Sequence, residues 1–398
     1  MQEIDIKVKP HFIDIYKNGY PLISKESLEN FSKLTQEGLI VNLFDAKNRF
    51  LAKGYHGIQN KGFGWVLSYK KDEAIDVAFF KKKITQAIEH RKKYIEDKET
   101  TAYRLFNGEG DGVGGLTIDY FDGYYLLTWY SIGIYELKPL ILEAIKESVE
   151  YKGIYQKKRF DGKGKYLDDA DDFITGERAD ESIIVKENGV NFAIHLDDGA
   201  MVGIFLDQKE VRKTIRDKYA KGKTLLNTFS YTGAFSVYGA LGGATKTTSV
   251  DLAKRSLPKT KEQFAVNNID PQTQEIIVED VFNYFKYAVR KKLLFDMVVL
   301  DPPSFARSKK HTFSASKDYV NLLKEAIQIT SKNGVIVAST NAANFSMMTF
   351  RDFIFRAFKE LKCKYKVEES FSLPSDFKVD KKFPEGNYLK VVFIRKLK

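Results

Sequence analysis

From about Ile183 the chain alternates a short apolar run with an amphipathic one, five times in succession. After a hairpin pattern in "SIIVKENGVNFAIHLD" come "TLLNTF" then "GAFSVYGALGG", "KTTSVDL" then "AKRSLPKTKEQFAVNN", and "EIIVEDV" then "FNYFKYAVRKKL". "FDMVVLD" then "YVNLLKEAIQITSK", and "GVIVAST" then "FRDFIFRAFKEL", complete the series. Repeated strand–helix units of this kind predict an α/β domain built on a mostly parallel sheet with helices on both faces. Ligands of such sheets sit beyond the carboxyl ends of the strands, at the point where strand order reverses. Any chemistry is therefore expected at the strand ends.

Three successive strands there end in aspartate: Asp251, Asp280 and Asp301. A single such aspartate is more often a helix N-cap or turn residue; three on consecutive strands favour a site. The first strand runs into "NTFSYTGAFSVYGALGGA", residues 227–244, with Gly233 at the strand-to-helix turn. Ser230, Thr232 and the backbone amides of that turn are expected to face a ligand. The turn is not G-x-G-x-x-G and holds too few glycines to wrap a pyrophosphate, so a nucleoside without phosphate fits better. Asp251 follows roughly 20 residues on, where sheets of this kind place an acid on the ribose hydroxyls. Asp280 is placed to meet an adenine amino group. The combination fits S-adenosylmethionine, whose sulfonium is cationic and whose ribose offers two donors.

The fourth strand ends in "FDMVVLDPPSFARSKK", residues 295–310. Pro302 and Pro303 fix φ and lack N–H donors, so this turn is stiff and its carbonyls can only accept. Asp301 with such carbonyls can grip a nucleobase by an exocyclic amine or ring N–H. Phe305 is expected to cover a base face by stacking, and Arg307, Lys309 and Lys310 to hold phosphates nearby.

Upstream, residues 1–70 read as short strands broken by Gly and Asn, the pattern of a small β-barrel or sandwich. A helix is expected over about 78–98, with Phe80, Ile84, Ile88 and Ile95 inward and Lys81, Lys82, Lys83, Arg91, Lys92 and Lys93 outward. Such a basic face is more often solvated than RNA-facing. The Gly-rich "RLFNGEGDGVGGLTID" opens a small α+β piece and is a weak phosphate signal, because it lacks a Walker lysine and serine. The most basic point of that piece is "QKKRFDGKGK", where Lys157, Lys158 and Arg159 are candidate RNA contacts. The expected division is 1–72, a β-barrel; 73–182, an α+β middle domain; and 183–398, the doubly wound domain.

The net charge of +11 and pI of about 9.2 over 398 residues suggest a polyanionic partner. One cysteine, Cys363, excludes a disulfide framework and a Cys-based zinc site, and the five histidines show no ligand spacing, so no metal is expected. The N-terminus does not read as a signal peptide and no apolar run reaches transmembrane length, so a cytoplasmic protein without membrane contact is expected. A homodimer is compatible with the sequence, which leaves the oligomeric state open.

Taken together, "RLFNGEGDGVGGLTID", "GIFLDQKEVR", "LNTFSYTGAFSVYGALGGA", "SVDLAK", "DPPSFARSK" and "FPEGNYLKVVFI" make the chain resemble, over nearly its whole length, the class I methyltransferases of the large-subunit ribosomal RNA group. That group couples a PUA-like RNA-binding barrel, a small α+β domain and a Rossmann-like S-adenosylmethionine-dependent methyltransferase domain. The resemblance implies that Phe205, Asp207 and Gln208 lie against the cofactor. It places Phe229, Ser230, Tyr231, Thr232, Gly233, Asp251, Leu252, Asp280, Val281 and Asp301 on cofactor-contacting positions.

One departure bears on mechanism. The cytosine-5 branch of the group carries a nucleophilic cysteine in a short turn after the fifth strand, and thiolate attack at C6 makes C5 reactive. The matching segment here is "ASTNAANFS", residues 338–346, with Asn341 at the cysteine position. Cys363, in "KELKCKYKVEE", is expected to be a packed structural thiol. "STNAANF" and "DPPSFARSK" also resemble the guanine-N7 branch, whose acceptor is already a nucleophile and needs only orientation. Asp301, Pro302 and Asn341 are the expected catalytic residues. The expected function is methylation of a base in large-subunit rRNA, at cytosine C5 by family or at a guanine ring nitrogen by residues. The alternative is a non-catalytic RNA-binding or assembly factor that keeps the cofactor-binding sheet.

Overall fold

A computed structural model describes residues 2–59, 62–160, 171–307 and 312–397. The chain divides into two compact units. The first comprises Met1–Val185, Ile194–Val202 and Ser375–Gly386; the second comprises Lys186–Ala193, Gly203–Pro374 and Asn387–Lys398. The segments 194–202 and 375–386, expected with the doubly wound domain, thus pack within the first unit.

The first unit holds two five-stranded sheets. One takes the order Glu3–Lys7, Ile40–Phe44, Phe50–Gln59, Gly62–Ser68, Leu22–Ile23; the other takes Phe173–Gly176, Gly153–Lys158, Tyr124–Trp129, Leu116–Phe121, Ala102–Asn107. Ile40, Tyr55 and Trp65 of the former share one buried core with Phe79, Ile84, Ile118 and Leu127. That shared core makes a single unit of two pieces the sequence separates. The helix expected over 78–98 spans Val77–His90, and a short helical segment, Lys92–Ile95, follows it. Between them Arg91 is fully buried, with bidentate 2.7 Å hydrogen bonds to Asp111 and a further one to the Asp376 carbonyl. Lys81 pairs with Glu147 and Lys82 with Glu73, so much of the basic face is spent on intramolecular pairs. The Gly-rich loop serves close packing: a Cβ on Gly110 would lie 1.8 Å from the Lys378 carbonyl oxygen.

The second unit is built on a seven-stranded sheet. Its strands are β1 (Thr224–Thr228), β2 (Lys246–Asp251), β3 (Glu275–Val278), β4 (Phe295–Leu300), β5 (Thr330–Thr340), β6 (Tyr365–Phe371) and β7 (Lys390–Lys396). Helices α1 (Ala234–Leu241), α2 (Ser256–Ala265), α3 (Val281–Arg290), α4 (Ala315–Ile329) and α5 (Met347–Glu360) connect them. The spatial order is β3-β2-β1-β4-β5-β7-β6. The first five strands are parallel; β7 runs antiparallel to β5 and β6 antiparallel to β7.

Both faces are covered, which is why the central strands β4 and β5 carry the continuous apolar runs Met297–Leu300 and Val335–Ala338. Leu225, Met297, Val299 and Val337 point to one side and pack with Val211, Ile215 and Phe235. Their neighbours Leu226, Val298, Leu300, Ile336 and Ala338 point to the other and pack with Phe285, Leu323 and Ile354. Chain order reverses between β1 and β4, so a crevice is expected outside their carboxyl ends.

Candidate active site

The turn after β1 holds two non-glycine residues in the left-handed region. Phe229 and Tyr231 have φ of 54° and 51°, and Gly233 has φ of 76°. A Cβ on Gly233 would lie 2.5 Å from Thr260 Cγ2, so both conformation and space demand glycine there. Left-handed non-glycine residues persist only where surrounding contacts hold them. The Ser230 N–H bonds the Val250 carbonyl (3.1 Å), and the Tyr231 N–H donates to Asp251 Oδ2 (2.8 Å). The Thr232 hydroxyl donates to the Gly203 carbonyl (2.7 Å). Asp251 also accepts from the Ala253 N–H (2.8 Å), and each carboxylate oxygen keeps a further acceptor site. Leu252 beside it is exposed.

The remaining predicted cofactor residues divide. Asp280 caps α3, accepting from the Phe282 and Asn283 amides, so its position serves the helix whatever else it does. Val281, expected against the ligand, is instead packed in the core at 3 % exposure, because it begins the apolar face of α3. Phe205 is exposed, 5.3 Å between ring centroids from Tyr231. Its carbonyl accepts from Arg212, which forms a buried bidentate pair with Glu187 at 2.8 and 2.7 Å. Asp207 accepts from the Tyr388 hydroxyl (3.0 Å).

Asp301, Gln208 and the end of β5 meet directly. Gln208 Nε2 donates to Asp301 Oδ1 (3.1 Å) and to Ser339 Oγ (2.7 Å). The buried Gln208 Oε1 has no hydrogen-bond partner among the described residues. Burial pushes the Asp301 carboxyl up to about 6, although hydrogen bonds from Ser339 and Gln208 pull the other way. Tyr319 of α4 donates to the Ser339 carbonyl (2.6 Å), locking that strand end. Pro302 is buried and Pro303 exposed. The Ser304 hydroxyl donates to Asn341 Oδ1, tying the turn after β4 to the one after β5.

The predicted RNA contacts also divide. Phe305 is 63 % exposed and opens a hairpin, Phe305–Arg307 with Thr312–Ser314, where the sequence suggested only a stiff turn. Arg307 lies in that hairpin; Lys309 and Lys310 lie outside the described residues. Lys157 is a correction. Strand alternation turns it inward, where it is 1 % exposed and ion-paired with Asp172, so it offers nothing to a phosphate. Lys158 and Arg159 are half-buried, and Arg159 Nη2 donates to the Ala200 carbonyl (2.7 Å).

Sequence reasoning missed Ser339, Tyr319, the Glu187–Arg212 pair and Tyr388. None carries a spacing signal, since each acts through a partner distant in the chain. No cluster of metal-ligating side chains occurs among the described residues, and no described helix is long and apolar enough to cross a membrane.

The site thus presents two carboxylates and an unpaired amide oxygen around a strained turn, with exposed Phe205 and Leu252 alongside. Acceptors of this kind suit a cationic ligand rich in donors, with apolar surface for a flat ring.

Comparisons with known proteins agree. Residues 103–380 match the family described as S-adenosylmethionine-dependent methyltransferase, and residues 6–69 match the PUA-like domain. A Bacillus subtilis (strain 168) protein, provisionally named ribosomal RNA large subunit methyltransferase YwbD, is 59 % identical over 382 residues, 96 % of each chain. Ribosomal RNA large subunit methyltransferase I of Aliivibrio fischeri (strain ATCC 700601 / ES114) is 30 % identical over 375 residues, 94 % of each. The solved structure of SMU.776, provisionally described as a methyltransferase and complexed with SAH, superimposes with a TM-score of 0.90 at 40 % identity, covering 99 % of this chain and 100 % of that one.

Proposed function

Because the chain belongs to the S-adenosylmethionine-dependent methyltransferase family, we propose that it methylates a base of large-subunit ribosomal RNA. The observation that carries this reading is the Asp301–Gln208–Ser339 cluster beside the strained β1 turn, in a chain whose relatives are named for that RNA. When bound, S-adenosylmethionine supplies an electrophilic methyl group. Phe205, Gln208, the 229–233 turn and Asp251 are the residues proposed to hold it. The carboxylate of Asp251 takes the ribose hydroxyls, and the unpaired Gln208 Oε1 accepts from a donor of the bound ligands. Asp301 and the Pro302–Pro303 carbonyls hold the base by its N–H groups. Asn341, its Oδ1 occupied by Ser304, turns its amide hydrogens to an acceptor on the base edge.

The acceptor atom we propose is a guanine ring nitrogen. Thiolate catalysis at cytosine C5 needs a cysteine beside the base, and the chain has one cysteine. Cys363 precedes β6, whose Tyr365 pairs with Lys396 at the end of β7; Lys390, at the start of β7, pairs with Thr340. Cys363 therefore lies at the edge of the sheet opposite Asp301 and Asn341. A ring nitrogen with its own lone pair needs no adduct, only alignment. Residues 1–72 and 73–182 are proposed to capture RNA, 183–398 to transfer the methyl group, and the protein to act in the cytoplasm, as a monomer or a homodimer.

Nucleoside mass spectrometry of large-subunit rRNA, from cells with and without the protein, tests the whole reading. A methylated guanosine that disappears with the protein is expected. Loss of 5-methylcytidine instead would refute the proposed acceptor, and unchanged rRNA would refute the proposed substrate.

A further inference from the structure

Lys390 is 5 % exposed, yet no carboxylate among the described residues comes within ion-pair distance of its ammonium. It donates instead to two backbone carbonyls, Ala342 O (3.0 Å) and Tyr388 O (2.8 Å), and sits 5.6 Å from the Phe345 ring centroid. A buried cation without a counter-charge is costly, and an apolar side chain would serve packing alone at less expense. The position of its two acceptors explains the choice. Ala342 directly follows Asn341, so one carbonyl belongs to the loop after β5 proposed to meet the base. The other belongs to Tyr388, whose hydroxyl donates to Asp207 in the turn proposed to meet the cofactor. Asp207 and Ala342 are far apart in the chain, and residues 388–390 join them.

We infer that Lys390 is a positioning residue: its ammonium fastens the 341–345 loop and, through Tyr388, holds that loop in register with the Asp207–Gln208 turn. Lys390 starts β7 opposite Thr340, the last residue of β5, so its Cα is fixed by the sheet while its side chain reaches past the strand end. Ala342 is buried beneath the fastening, and its neighbour Asn341 is exposed. Phe345, packed on Phe350 and Phe353, anchors the far end of the same loop. The loop is thus pinned at Ala342 and at Phe345, with Asn341 exposed immediately before the first pin. The inference rests on the proposed methyl transfer for its kinetic consequence, but not for its structural one.

The test uses Lys390→Met, which keeps chain length and removes the charge. Amide hydrogen exchange over residues 341–346 is expected to quicken by about tenfold or more. kcat on large-subunit rRNA should fall by about tenfold, with S-adenosylmethionine affinity held within about twofold. Lys390→Gln, which retains a donor for one carbonyl, should fall between the two proteins on both readouts and carries the test if Lys390→Met does not fold. Exchange in the loop unchanged from wild type would overturn the inference. So would cofactor affinity that falls in step with kcat. Absence of methyl transfer by the wild-type protein would instead overturn the proposed reaction, leaving the exchange measurement to decide the role of Lys390.

Discussion

Gln208 gives its side-chain nitrogen to two different strand ends, donating to Asp301 Oδ1 at 3.1 Å and to Ser339 Oγ at 2.7 Å. The amide is thereby held in one orientation, since the reverse would set its oxygen against a carboxylate. Its carbonyl is buried and has no hydrogen-bond partner among the described residues. Leaving such a group unsatisfied costs about 1–3 kcal/mol, so a ligand that donates to it recovers that cost.

Gln208→Met should therefore weaken S-adenosylmethionine binding by roughly 1.5–3 kcal/mol, tenfold or more in Kd. Isothermal calorimetry reads this directly, and equal affinity in the two proteins would remove Gln208 from the cofactor site.

Asp301 predicts a pH dependence. Burial raises its carboxyl to about 6, against roughly 3.9 in an unfolded chain. The unfolded state loses its proton first, so the folded state binds more protons between about pH 4 and 6 and stability falls as pH rises through that window. At neutral pH the folded protein carries the full cost of the buried charge. Asp301→Asn should raise the thermal midpoint at pH 7.5, by a stabilisation on the order of 1–2 kcal/mol, and give no gain near pH 4. Methyl transfer should fall in the same variant. Thermal melts across pH check the sign, and a stability loss at pH 7.5 would contradict it.

Gly233→Ala places a methyl group 2.5 Å from Thr260 Cγ2 at a φ of 76°. Gly222 has a similar φ of 71° with nothing within 4 Å, so Gly222→Ala isolates the conformational cost. That control should lose about 1 kcal/mol and Gly233→Ala about 1–3 kcal/mol more, in chemical denaturation. Equal losses would mean that Thr260 yields freely and that the turn tolerates bulk.

The basic cluster at 157–159 should behave as two different things. Lys157→Met removes one member of a buried pair and leaves Asp172 unpaired, so it should cost about 3–5 kcal/mol of stability. Lys158→Ala with Arg159→Ala should leave the fold intact. If both residues meet phosphates, the slope of log K against log salt for rRNA should flatten by about 2. Filter binding over a salt series decides this, and an unchanged slope would remove this strand from the RNA surface.

Cys363→Ser should retain full methyl transfer, and RNA carrying 5-fluorocytosine should form no stable adduct. The thiol is half-buried, in the link between α5 and β6, beside the Leu361 carbonyl. A covalent protein–RNA band on a denaturing gel, lost in the serine variant, would return the protein to cysteine chemistry.

The sequence by itself determined the doubly wound sheet, because both faces of its central strands are buried and β4, β5 and β7 must then be written as local apolar runs. It also placed Asp251, Asp280 and Asp301 at strand ends, since a strand's end is marked by where its apolar run stops. Only the tertiary structure decided which acids have partners that leave them available. Asp280 is taken up by its own helix, while Asp301 meets Gln208, 93 residues away. Lys157 and Lys158 look alike in sequence, yet the pleat turns the first inward to Asp172 and leaves the second half-buried. The 375–386 segment packs within the first unit, where the Asp376 carbonyl accepts from the Arg91 guanidinium and its carboxylate from the Arg104 backbone N–H. Periodicity is a property of neighbours in the chain and can be read there. A hydrogen bond between residues a hundred positions apart is set by how layers stack, and no local pattern records it.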